Sequence, residues 1–109
     1  MGALASAPWT ALVIAGFFEI GWALGLKYSE GFSRFWPSVV TIAFALASFV
    51  LLAHAMRSLP VGTAYAVWTG IGALGTATMA VFLFGEPVTL IRVGGILLIV
   101  AGIAALKLA

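Results

Sequence analysis

One acidic residue carries most of the chemistry available to this sequence. Glu19 is the eleventh of the eighteen residues from Trp9 to Leu26, a stretch with no other charge. A carboxylate surrounded by hydrocarbon costs roughly 2.5 kcal/mol or more. It relieves that cost by taking a proton or by holding a cation, and the two compete for the same oxygens. A single group can therefore exchange protons for cations. A second Glu19, brought close by another subunit, would couple the two titrations.

The neighbours narrow the cation. Trp22 follows Glu19 by three residues on the face that also carries Gly16. Further on, Tyr65, Trp68, Gly72 and Gly75 fall on one helical face at offsets of three, seven and ten, and Ser48 places a hydroxyl among alanines. Aromatic faces attract cations. Indole N–H, phenol O–H and serine O–H can all donate to a carboxylate. A planar guanidinium meets a carboxylate through two parallel hydrogen bonds and stacks on rings, so this set suits a small, flat cation.

Other chemistries are excluded by what is missing. The 109 residues contain no cysteine, one histidine and three glutamates far apart in sequence. They assemble neither a metal site nor a nucleophile–base pair, so neither an enzyme nor a cofactor is expected. Five basic residues, scattered singly, make no phosphate-tracking stripe for nucleic acid.

The elements that must position Glu19 follow from composition. Only 7% of the residues are charged, 64% are hydrophobic and the mean hydropathy is +1.25. Eight charges do not solvate a folded domain of this size, which leaves an integral membrane protein. Four apolar runs, at about 9–26, 35–56, 61–84 and 90–108, are each long enough to cross about 30 Å of hydrocarbon as a helix. Their continuous apolar character is unlike the alternation of membrane barrels. Tight connections at 28–34, 57–60 and 85–89 make successive helices antiparallel neighbours in a single all-α domain. The first run has no Lys or Arg before residue 27 and a glutamate within it, so it is expected to be a retained span and not a signal peptide.

The charges at the ends nearly balance. One side of the membrane carries Arg57 and Lys107, the other Lys27, Arg34 and Arg92. Two against three gives almost no orientation preference, and the chain could insert either way. Lys107 is placed to snorkel, His54 to sit at an interface, and Trp9 and Trp36 to join an interfacial aromatic belt. Gly70-Ile71-Gly72 interrupts the third run and is a candidate hinge, or a place of close packing. Gly95 and Gly102, two turns apart, with Gly94, Ala101 and Ala105 beside them, make a small-residue contact surface assigned to dimerisation. Ala43, Ala45 and Ala47, with Phe44 and Phe49 as walls, are a candidate portal for the alkyl tail of a substituted cation.

These residues together resemble the small multidrug resistance transporters over essentially the whole chain. The resemblance rests on the four spans, the lone Glu19, Ser29-Glu30-Gly31-Phe32 and the block from Leu59 to Gly72. Glu19-Ile20-Gly21-Trp22 and Trp68-Thr69-Gly70-Ile71-Gly72 are most similar to the guanidinium-exporting subtype. That resemblance implies an antiparallel, dual-topology homodimer in a bacterial inner membrane, exchanging protons for guanidinium by alternating access. It implies Glu19 of both subunits as the shared substrate and proton site, lined by Trp22, Ser48, Tyr65 and Trp68, with Gly95 and Gly102 at the dimer contact. Export of quaternary ammonium ions, or a non-transporting role in a heteromeric membrane complex, are the alternatives.

Overall fold

The computed structural model describes residues 2–109, with side chains from residue 7 onward. Four helices account for nearly all of it: α1 (Gly2–Tyr28), α2 (Phe35–Met56), α3 (Val61–Phe84) and α4 (Leu90–Leu108). All four are long and apolar enough to cross a membrane, and no strand occurs among the described residues. α1 begins seven residues before the apolar run at Trp9. Ala3, Leu4 and Ala5 are strong helix formers, and Pro8 is accommodated near the start of the helix.

Each boundary has a local cause. Arg34 is extended ahead of α2, and Pro37 occupies its first turn, where a missing N–H leaves no helical bond unmade. Pro60 precedes α3, and Gly85 ends it in the left-handed conformation at φ 66°. Thr89 caps α4, its hydroxyl accepting the Arg92 N–H at 3.1 Å, and Arg92 pairs with Glu86 at 3.0 Å across the same turn.

The first connection is the most constrained. Glu30, Gly31 and Phe32 lie in succession at φ 49°, 72° and 65°, a region natural only to the glycine. Ser29 holds them there from a fully buried position. Its hydroxyl donates to the Leu26 carbonyl at 2.8 Å and accepts the Phe32 N–H at 3.1 Å. Its own carbonyl accepts from the N–H groups of Ser33 and Arg34.

α1 is the central element. It packs against both α2 and α3, while α4 packs along α3 and reaches α1 where Lys107 lies over Trp9. The helices are thus ordered α2–α1–α3–α4 in a flattened body of 44 × 35 × 20 Å. The core lies toward the N-terminal end of α1: Ala11, Leu12 and Ala15 meet Leu52 and Ala55 of α2 and Ala64, Val67 and Trp68 of α3. Alanines dominate because membrane helices gain little from apolar bulk and associate through close van der Waals contact. α4 has no buried residue.

Candidate functional site

Glu19 lies where α1 crosses α3, and glycines make the crossing possible. A Cβ built on Gly72 would fall inside the Glu19 carboxyl group. The same holds one turn earlier, where a Cβ on Gly16 would lie 2.6 Å from Ile71 Cγ2, and just beyond, where Gly75 receives the Ile20 side chain. Three close approaches in register hold α1 and α3 side by side and seat the carboxylate directly on the α3 backbone.

The carboxyl group has no counter-ion. Among the described residues the one ion pair is Arg92–Glu86, in the α3–α4 connection. Glu19 Oε2 is buried without a hydrogen-bond partner. No cluster of metal-ligating side chains occurs among the described residues. Two surface grooves of about 520 and 510 Å³ flank α1, and neither is lined by Glu19.

Ser48 and Trp68 serve Glu19 indirectly. Trp68 Nε1–H donates to Ser48 Oγ at 2.8 Å, and the Ser48 hydroxyl donates to the Ala15 carbonyl at 2.7 Å. Both protons that could have held the carboxylate are thereby committed. Ala15 is four residues before Glu19, so its carbonyl is also the helical acceptor for the Glu19 N–H. The string from α3 through α2 thus braces the backbone beneath Glu19, from positions almost wholly buried.

The aromatic residues form one continuous series. Tyr65 and Trp68 stand 5.6 Å apart, Trp68 and Phe49 5.9 Å, and Phe49 and Trp22 6.1 Å between ring centroids. Trp22 Nε1 is buried and unpartnered, so it holds the one indole proton near Glu19 still free to donate. Tyr65 is about half exposed and stands at the rim. Phe49 belongs to this series, whereas Phe44 packs on Phe18 and, with Ala43 and Ala47, lines a separate groove between α1 and α2. Ile71 and Ile20 fill the glycine notches on either side of Glu19, at Gly16 and Gly75. Sequence offered only an indirect signal for them, in Gly16 and Gly75, which mark close helix approach without naming what approaches.

The remaining expected residues fall into two groups. α3 passes Gly70-Ile71-Gly72 without a break. The two glycines face different helices: a Cβ on Gly70 would lie 2.8 Å from Ile103 of α4, and Gly72 faces Glu19. Gly94, Gly95 and Gly102 of α4 face open space. At the ends, the Lys107 ammonium lies 5.5 Å over the Trp9 ring, while Trp36 and His54 are exposed.

Comparison with known proteins identifies the family. Residues 7–99 match the family described as Small Multidrug Resistance protein. A guanidinium exporter of Yersinia pseudotuberculosis is 59% identical over 101 residues, covering 93% of this chain and 97% of the relative. One from Escherichia coli strain K12 is 57% identical over 100 residues, covering 92% and 95%, and one from Citrobacter freundii is 55% identical over the same span. These relatives are transporters, not enzymes. The chain, a multi-pass protein of the bacterial inner membrane, belongs to the small multidrug resistance family.

Proposed function

We propose that this protein exports guanidinium in exchange for protons, working as an antiparallel homodimer with Glu19 of both subunits at its centre. The observation that carries the proposal is the Glu19 carboxyl: seated at mid-span on Gly72, its Oε2 buried, with no counter-ion among the described residues. Such a group is retained when a mobile cation or proton completes it. The relatives named as guanidinium exporters support the choice of cation. So does the series Tyr65, Trp68, Phe49 and Trp22, whose faces suit a planar cation.

The antiparallel dimer is supported by the near balance of loop charges and by α4, whose Gly95 and Gly102 face open space. Two copies in opposite orientations act as an inverted repeat with the site at the midplane. The cation displaces protons from the Glu19 pair on the inner side. Protons displace the cation on the outer side. The two protomers exchange conformations between these events, with Gly70 and Gly72 as the places where α3 bends.

Proteoliposomes holding a proton gradient test the proposal. Glu19→Gln is expected to abolish proton-driven guanidinium transport, and robust driven uptake by that variant would sink it. Because protons and cation share one carboxylate, acidifying both faces together is expected to weaken guanidinium binding, and raising the pH to strengthen it. Binding titrations at several pH values check the sign.

A further inference from the structure

Three buried side-chain polar atoms among the described residues have no hydrogen-bond partner: Glu19 Oε2, Trp22 Nε1 and Thr76 Oγ1. Buried polar groups are almost always paired, so each exception requires an explanation. Glu19 and Trp22 already belong to the site. Thr76 does not, and three observations connect it to them.

The first is position. Thr76 follows Gly72, on which the Glu19 carboxyl rests, by four residues. It therefore lies on the same face of α3, about 6 Å further along the axis. The contacts Gly16–Ile71, Gly72–Glu19 and Gly75–Ile20 show that α1 and α3 run parallel in fixed register. Thr76 is thus level with the turn of α1 that carries Trp22.

The second is behaviour. Thr41, Thr69 and Thr78 each turn the hydroxyl back to the carbonyl four residues earlier, at 2.7, 2.6 and 2.8 Å. That is the ordinary way a helical threonine satisfies itself in an apolar setting. Thr76 has the same option and does not use it, although its oxygen is shielded from solvent.

The third is chemistry. Guanidinium carries six N–H donors and no acceptor. The Glu19 carboxylate takes two of them by its paired geometry. Trp22 and Trp68 have indole N–H groups, which accept nothing. Ser48 already accepts from Trp68 and donates to Ala15. Within one protomer the site thus has donors in surplus and, apart from the Tyr65 phenol at the rim, lacks an acceptor beyond Glu19. Two hydrogen bonds of about 2.9 Å and a cation about 2 Å across put its two acceptors about 8 Å apart, the one-turn rise of about 6 Å between Gly72 and Thr76 plus about 2 Å of side-chain reach.

We propose that Thr76 is a specificity-determining residue of the guanidinium site, its hydroxyl oxygen accepting an N–H from the edge of the cation opposite Glu19. The proposal rests on the guanidinium-export reading above and deepens it. It distinguishes cations that carry N–H groups from quaternary ammonium ions, which have none to offer.

The test compares wild type, Thr76→Val, Thr76→Ala and Thr76→Ser in proteoliposomes, with KM and maximal rate measured separately for guanidinium. Thr76→Val keeps the shape and removes the hydroxyl. Both hydroxyl-free variants are expected to raise the guanidinium KM about tenfold, the loss of one useful hydrogen bond, with the maximal rate within about twofold of wild type. Thr76→Ser is expected to restore KM. A purely structural role would instead lower the maximal rate and leave KM in place. An unchanged KM in either hydroxyl-free variant, or a serine variant as defective as valine, overturns the proposal. If wild type itself transports no guanidinium, the functional reading falls, and this one with it. If wild type transports guanidinium and Thr76→Val matches it, only the role of Thr76 falls.

Discussion

The glycines of α1 and α3 and those of α4 are the same residue put to opposite uses. Along the α1–α3 contact each missing side chain is already occupied: Gly16 by Ile71, Gly72 by the Glu19 carboxyl, Gly75 by Ile20. Along α4, Gly94, Gly95 and Gly102 meet nothing within 4 Å. The first set is spent inside the protomer, to bring a charged group against a backbone. The second is left open on a helix that buries none of its residues. Small-residue patterns in membrane helices mark close approach without saying whether the neighbour is the same chain, and here the occupied or empty space separates the two cases.

The largest effect should come from closing an occupied glycine. Gly72→Ala puts a methyl group where the Glu19 carboxyl rests, and guanidinium transport is expected to fall at least a hundredfold while cross-linked dimer persists. Filling the open glycines should give the converse. Gly95→Leu together with Gly102→Leu starts from positions where a Cβ meets nothing within 4 Å, so helical content by circular dichroism is expected to stay at wild type while dimer, measured by cross-linking or light scattering in detergent, is lost. Wild-type dimerisation of that double variant would show that the open surface of α4 is lipid-facing.

Smaller effects refine the contrast. Ser48→Ala removes the link between Trp68 and the Ala15 carbonyl and leaves an indole N–H unpaired. Interhelical hydrogen bonds in membranes average well under 2 kcal/mol, so a loss of about 1 kcal/mol in unfolding free energy is expected. Transport should fall through mispositioning of Glu19, by about tenfold. Arg92→Ala should do least. Its pair with Glu86 is exposed at the end of α4 and is worth less than about 1 kcal/mol. The same change equalises the basic residues at two on each side, so reporter fusions should show an insertion ratio closer to even.

The spans were legible because hydrocarbon thickness sets a minimum run of apolar residues, and the breakers Pro60, Gly85 and Pro87 bound the runs sharply. Glu19 was legible because it is the one charge that breaks a run at its centre. The early start of α1 was not, since Pro8 punctuates a stretch that nevertheless continues as helix. The partners of Ser48 were hidden for a different reason. Sequence identifies Ser48 as a donor, but the acceptor it finds is a backbone carbonyl of another helix, and every residue carries one. Thr76 was equally invisible: Thr69, Thr76 and Thr78 are alike in type and in apolar sequence context, and only the fold leaves the Thr76 oxygen shielded and unpaired.

The bond from Ser48 to the Ala15 carbonyl has a mechanical consequence. It ties α1 to its neighbours one turn before Glu19, and the buried core of Leu12, Ala15, Leu52, Ala55, Val67 and Trp68 lies on that same side. Beyond it, the polar atoms of Glu19, Trp22 and Thr76 are unanchored. Past that point α1 is held by side-chain packing, Ile20 on Gly75, Gly21 on Phe44 and Tyr28 on Phe84, so the hydrogen-bonded clamp is the natural fulcrum of the helix. Any rocking of α1 that preserves the clamp displaces Glu19 little and the far end of the helix a great deal, so access could change widely while the charged group stays nearly still.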